Sequence, residues 1–290
     1  MGPYTVHTRA SIPMHLLARR FIASLIWLVL ALPLLASPLK VRADVATVNV
    51  PVLVYHRFGP TVADSMTTTT PVFEAQLAYI KEHGFHVIPL ETLVAYLRGE
   101  GPPLPPHSLV ITADDGHRSV YEVMLPLIQK YEFPVTLFIY PSAISNANYA
   151  MTWDQVRELL GTHLFTVQSH TYWHPNFKIE KRKQAPADYE KFVDIQLLKS
   201  KATLEKKLGI EVKVLAWPFG IYDDELLDRA KNVGYVAAFS IDRRAANSSS
   251  TLMAVPRFLM TNADQGKAFE RLLASSSTTG EPATRTEKNH

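Results

Sequence analysis

Leu109-Val110-Ile111-Thr112-Ala113-Asp114-Asp115-Gly116 decides how the chain is read. A mostly apolar, strand-like run ends abruptly in two adjacent carboxylates and a glycine. A buried strand with that ending, and a glycine to let the backbone turn, sets ionisable groups at the mouth of a sheet or barrel. Taken alone the motif also fits a solvated Asp-Asp-Gly turn. The surrounding sequence separates the two readings, because it supplies two histidines at metal-ligand spacing and a third at the end of another strand.

Upstream, Val48 to Tyr55 reads as a buried strand that ends in His56-Arg57-Phe58-Gly59. Thr70-Pro71 supplies an N-cap and a first-turn proline for a helix whose Phe73, Leu77 and Ile80 share one face, and Gly84 stops it. His86-Val87-Ile88 is a short strand, Leu90 to Leu97 a helix, and Pro102 to Pro106 a proline-rich connection into the Asp-Asp strand. Downstream, Ser119 and Glu122 form a capping box that opens a helix to about Lys130, and Val135 to Ile139 is a strand. Thr152 and Gln155 form another capping box for a helix closed by Gly161. Phe165 to Gln168 is a strand ending at Ser169-His170. Tyr189, Val193, Leu197, Leu204 and Leu208 lie along one stripe of a long amphipathic helix. Val212 to Ala216, Tyr235 to Phe239 and residues 253–259 are further strands, with a helix from Asp223 to about Asn232.

Strands alternating with helices call for a mainly parallel sheet with helices outside, wound open or closed into a barrel. In such folds chemistry collects at the carboxyl ends of strands. His56, Asp114-Asp115, His170 and Trp217-Pro218 all fall just after a predicted strand.

Composition narrows the function. With 290 residues, 47% of them hydrophobic, the chain can bury one large core. Its glycines and prolines are scattered, so there is no repeat or collagen-like register. The absence of cysteine removes thiolate nucleophiles and Cys-ligated metals, leaving histidines and carboxylates as ligands. The formal charge of +3 comes from Arg9, Arg19, Arg20, Lys40 and Arg42, which precede the first acid, Asp44. Without residues 1–43 the balance is 25 bases against 27 acids, which gives no electrostatic case for nucleic-acid binding.

Residues 1–43 resemble an export signal: Arg19-Arg20, then the uncharged run Phe21 to Ala36, then a cleavage site at Val41-Arg42-Ala43. The competing reading is an uncleaved membrane anchor over residues 21–39, which would be the protein's only membrane contact. The expected domains are therefore 1–43 signal peptide or anchor, 44–274 catalytic domain and 275–290 disordered tail. The expected location is the periplasm or cell envelope.

His170-Thr171-Tyr172-Trp173-His174 has its imidazoles four apart, a spacing that puts both on one side of a helical turn, as in other zinc sites. Two packed or solvated histidines are the plainer alternative. With Asp115, two histidines and one carboxylate would leave coordination positions open for water and substrate.

Asp-Asp-Gly after one strand, His-x-x-x-His after a later one and Trp217-Pro218-Phe219-Gly220-Ile221-Tyr222 after a third resemble the polysaccharide deacetylases of carbohydrate esterase family 4. The resemblance covers roughly residues 48–260. It implies a distorted (β/α) barrel, here with about seven mainly parallel strands and outer helices, and metal-dependent removal of acetyl groups from a glycan. Carried over by position, Asp114 is the general base, and Asp115, His170 and His174 hold a divalent metal, zinc first, with cobalt, nickel or iron as alternatives. The Phe219 N–H would bind the oxyanion.

Three departures stand out. Ala113 replaces the usual phenylalanine. The base-orienting arginine before the Pro-Tyr-Gly position is missing, and Arg257 is a candidate to replace it, against a plain surface or structural role. The C-terminal Leu-x-x-His acid is missing as well. His56 is its candidate substitute, because Pro51-Val52-Leu53-Val54-Tyr55-His56 resembles the signature of the poly-β-1,6-N-acetylglucosamine deacetylase branch.

Trp173, Trp217, Phe219 and Tyr222, with Tyr172, are candidates to stack on sugar rings, core packing being the alternative for each. His117 and Arg118 belong either to the cleft or to a solvated loop. Two rival functions remain, a small-amide hydrolase of the same fold and a non-catalytic glycan-binding or export accessory protein. Oligomeric state is open.

Overall fold

The structure is a computed structural model that describes residues 1, 2, 4 and 48–277. The chain divides into Met1–Val45 and Ala46–His290, and everything below concerns the second unit. Except at Met1, Gly2 and Tyr4, the signal or anchor expected at 1–43 lies outside the described residues, as does the tail beyond Ser277. Among the described residues no helix is long and apolar enough to cross a membrane.

Seven parallel strands follow one another in the order β10-β1-β5-β6-β7-β8-β9: β10 Phe258–Leu259, β1 Val52–Tyr55, β5 Ser108–Asp114, β6 Val135–Ile139, β7 Phe165–Ser169, β8 Val214–Ala216 and β9 Ala237–Phe239. A short β4, His86–Val87, adds to β5, and β2, Arg57–Gly59, pairs with β3, Thr67–Thr69. Val255 bridges Phe239 at one end of the series, and three residues later Phe258 pairs with Leu53 at the other. The sheet is thereby curled into the expected distorted (β/α) barrel.

Strands β1, β5 and β6 are buried on both faces, as central parallel strands under helices must be. The two-residue side-chain period divides the core in two. Val52, Val110, Phe138, Val214, Ala216, Ala237 and Phe239 belong to one apolar cluster with Leu90, Leu93 and Val94. The alternate residues, among them Leu53, Ile111, Leu137, Val167 and Leu215, belong to a second cluster with residues of the outer helices.

Those helices are α1 Thr70–Glu82, α2 Leu90–Leu97, α3 Leu125–Tyr131, α4 Trp153–Gly161, α5 Phe177–Lys183, α6 Pro186–Leu208, α7 Asp224–Val233 and α8 Lys267–Ser277. Phe73, Leu77 and Ile80 of α1 are buried as their spacing requires, although the N-cap is Thr69 rather than Thr70. On α6, Tyr189, Val193, Leu197 and Leu204 form the buried stripe. The Thr152–Gln155 capping box is formed in full.

The Ser119–Glu122 box is not formed, which corrects the sequence expectation. A π-turn, Val120–Met124, leads into α3. Pro126, with no N–H to give the Glu122 carbonyl, interrupts regular helix there. The Ser119 hydroxyl is committed elsewhere and accepts the Phe58 N–H at 2.8 Å. Helix α8 has no counterpart in the sequence reading, yet it buries Phe269, Leu272 and Leu273.

Urea denaturation separates these roles. Ser119→Ala orphans a buried N–H and should cost about 1–3 kcal/mol, and Thr152→Ala should cost about 1 kcal/mol through the lost cap. Glu122→Ala should stay within about 0.5 kcal/mol of the parent.

Candidate active site

Strand parity turns Asp114, the last residue of β5, toward the barrel interior along with Val110 and Thr112. Asp115 would by parity face the helices. Its left-handed backbone, φ 71°, re-aims the chain so that both carboxylates open onto one cavity. Gly116 continues the turn at φ 74°, and a Cβ there would sit 2.9 Å from Ile144 Cδ1. Only glycine satisfies both the dihedral and the space.

At the end of β7, the Ser169 hydroxyl bonds Ser200 on α6 at 2.7 Å, and His170 faces inward. His170 to His174 is not a helical turn, a correction to the spacing argument. Thr171 and His174 are left-handed, with φ of 64° and 63°, and Pro175 disfavours helical backbone at the residue before it. The imidazoles still meet, edge to face, with ring centroids 4.6 Å apart. Gln196 holds this loop from α6 by accepting the Trp173 N–H at 3.1 Å.

One ligand atom from each of Asp115, His170 and His174 can be chosen so that all lie within 4.8 Å of one another. Asp115 Oδ1 is 3.7 Å from His170 Nε2 and 3.6 Å from His174 Nε2. His170 Nδ1 is tied to the Ala216 carbonyl at 2.8 Å, which fixes the tautomer and leaves Nε2 with a lone pair toward the carboxylates. Burial lowers both imidazole pKa values, to about 3 for His170 and about 4 for His174, so both rings are neutral at ordinary pH, the form that can bind a metal. Burial, reinforced by Asp114, raises the Asp115 pKa. Asp115 Oδ1 is buried with no hydrogen-bond partner. An orphaned carboxylate oxygen beside two neutral imidazoles fits a divalent cation.

Asp114 is settled differently. Arg257 is fully buried and grips it with both ends of its fork, Nη1 to Oδ1 at 2.8 Å and Nη2 to Oδ2 at 2.7 Å. Arg257 Nε donates to the Ser240 carbonyl at 3.0 Å, and Nη1 also reaches Thr112 Oγ1 at 3.2 Å. Burial works to raise the Asp114 pKa, but Arg257, helped by His170, outweighs it and holds the pKa at about 2. The surface-arginine alternative for Arg257 is thereby ruled out.

His56 follows β1 into the same cavity, with Nδ1 buried and unpartnered and its pKa lowered by burial. The cavity measures about 560 Å³. Trp217 and Phe219 also line it. Trp217 is buried, its Nε1 donating to the Met253 carbonyl at 2.8 Å. Phe219, left-handed at φ 57° and 55% exposed, lies with its ring 4.6 Å from that of His174.

Trp173 and Tyr222 are not brought to the cavity wall. Trp173 packs edge-on against Phe192, and the Tyr222 hydroxyl donates to Asp242 at 2.9 Å. Tyr140, Tyr149 and Arg57 line the cavity without having been singled out, and His117 joins them rather than lying in a solvated loop. Tyr140 directly follows β6, so the strand-end rule applied to every strand would have found it. Tyr149 carried no such signal.

Arg257→Met should destabilise the fold by about 3–5 kcal/mol by leaving a buried carboxylate unpaired. Adding Asp114→Asn to that variant should recover more than half of the loss, as denaturant midpoints will show.

Comparison with known proteins accords with this geometry. Residues 101–238 match the polysaccharide deacetylase family. Two curated relatives are named poly-β-1,6-N-acetyl-D-glucosamine N-deacetylase. The Escherichia coli K12 protein is 25% identical over 74% of this chain, which spans only 37% of that relative's length. The Staphylococcus aureus MRSA252 protein is 26% identical, with 69% of each chain covered. The Streptococcus pyogenes deacetylase PplD, solved in complex with acetate, shares the fold with a TM-score of 0.69 at 22% identity, over 78% of this chain and 99% of that one. The domain recognised over residues 101–238 is therefore a polysaccharide deacetylase domain.

Proposed function

We propose that the protein is a metal-dependent hydrolase that removes N-acetyl groups from a β-linked N-acetylglucosamine polymer. One observation carries the proposal: Asp115, His170 and His174 converge around a common point, with Asp114 held ionised beside them by Arg257. The names of the two curated relatives support the choice of polymer.

Asp115, His170 and His174 would hold the cation, zinc first by donor type, with cobalt, nickel or iron as alternatives. Bound there, a divalent ion lowers the pKa of water and polarises a carbonyl. Asp114 is the general base. Arg257 takes one lone pair on each of its oxygens and leaves others for a water proton. Arg257 keeps Asp114 ionised, the form that can accept that proton. His56, facing the same space and disfavoured as a cation by burial, would protonate the leaving amine nitrogen after taking up a proton, which the negative charge of Asp114 and Asp115 favours. The Phe219 N–H, on its left-handed turn, stabilises the developing oxyanion.

The reading as an accessory protein without catalysis gives no reason to keep Asp114 ionised by a buried guanidinium. A small-amide substrate accords less well with a cavity whose rim exposes Phe219 and Tyr149. We place the enzyme outside the cytoplasm on the strength of residues 1–43.

The test is acetate release from β-1,6-linked N-acetylglucosamine oligomers, with chitin oligomers and peptidoglycan for comparison. Chelation should abolish release and added zinc restore it. Asp114→Asn should lower turnover by about 10²–10⁴-fold with bound metal retained, and unimpaired turnover would overturn the base assignment. His174→Ala should lower the metal content itself, read by elemental analysis of purified protein.

A further inference from the structure

Two short segments meet beside the catalytic cavity and form a rib. His117 and Ala150 make an antiparallel bridge, the Arg118 N–H donates to the Tyr149 carbonyl at 2.7 Å, and the Met151 N–H donates to the Gly116 carbonyl at 3.0 Å. The loop leading to the rib is itself pinned, with the Ser145 N–H on the Met151 carbonyl at 3.0 Å and Asn146 Nδ2 on the Ser142 carbonyl at 3.0 Å.

Side chains alternate across the rib. His117 and Tyr149 line the catalytic cavity, whereas Arg118, Asn148 and Ala150 line a separate cleft of about 320 Å³. The His117 and Tyr149 rings are stacked, 11° from parallel with centroids 6.2 Å apart. The His117 ring is fixed from behind by Ser119 at 2.8 Å, and the Tyr149 hydroxyl is bonded to that of Tyr140. Tyr149 is nonetheless 43% exposed. A large aromatic held rigid with an open face on the rim of a cavity is a binding platform rather than a core residue.

We infer that this rib is a second saccharide subsite, with Tyr149 stacking on the pyranose next to the one being deacetylated and the polar cleft receiving the hydroxyls of the unit beyond. The inference rests on the polymer reading above. Pyranose rings present C–H faces to aromatic surfaces and hydroxyls at their edges, which is the division the rib provides. The cleft suits an uncharged polyhydroxyl chain. Asn146, Asn148 and Gln155 each offer a donor and an acceptor, and Arg118 is offset by Glu122. A polyanion would instead require an excess of positive charge.

The experiment compares the N-acetylglucosamine monosaccharide, which cannot reach the rib, with its β-1,6-linked pentamer on metal-loaded protein. In Tyr149→Ala the pentamer-to-monosaccharide ratio of kcat/KM should fall about tenfold. Tyr149→Phe keeps the ring and should hold the ratio within about twofold, and Arg118→Ala should lower it. Equal losses on both substrates in Tyr149→Ala, or no loss on either, would overturn the subsite. Calorimetric titration of the pentamer into Asp114→Asn protein tests it without turnover. There, adding Tyr149→Ala should weaken binding about tenfold, and an unchanged Kd, or no binding by the parent, overturns the inference. Tyr149-dependent binding by a wild-type protein that releases no acetate would sink the deacetylase reading while leaving the subsite standing.

Discussion

Two carboxylates at adjacent positions of one buried turn cannot both stay ionised without separate compensation, and the whole site is organised around that constraint. Asp114 is compensated from within the fold by the Arg257 fork. Asp115 is left with an oxygen that finds no protein donor, facing two imidazoles that burial keeps neutral. The asymmetry gives the pair distinct chemical characters. One acid is held ionised by an internal counter-ion, and the other has a buried oxygen with no protein hydrogen-bond partner. Neighbours in sequence, they would be near-equivalent on a flexible surface turn.

The barrel makes this division possible by fixing which residues look inward. Parity delivers Asp114 to the interior, and the backbone departs from regularity where parity would deliver the wrong side chain or the wrong angle. Asp115, Thr171, His174 and Phe219 all adopt left-handed dihedrals, four of the eight non-glycine residues that do so among those described. Such conformations persist only where surrounding contacts over-determine them. Here those contacts include the Gln196 and Thr171 side chains bonded to the 173–174 backbone.

The strand–helix alternation was legible because the inner strands are short, largely apolar runs and longer outer helices such as α1 and α6 carry a 3.6-residue stripe. The strand-end rule likewise located His56, Asp114 and His170 correctly. What the sequence could not convey was side-chain commitment in three dimensions. Ser119 looks like a helix cap until Phe58 is found to occupy its hydroxyl. Trp173 and Tyr222 read as sugar platforms from their place beside the motifs, but the structure sets them off the cavity wall, against Phe192 and Asp242. Arg257 was ambiguous because its partner lies 143 residues away, and no local pattern encodes such a pairing. Helix α8 escaped notice because its apolar residues, Phe269, Leu272 and Leu273, are few and border a polar tail.

The same separation bears on how the molecule acquires its shape. Strands β5, β6 and β7 can assemble from neighbouring sequence, but the arginine that neutralises Asp114 lies 143 residues further along the chain. Until it docks between β9 and β1, the nascent barrel holds an unmatched anion at its centre, which disfavours premature compaction around the unfinished site. Closing so long a loop costs conformational entropy that the buried Arg257–Asp114 pairing and the β10–β1 strand pairing must offset.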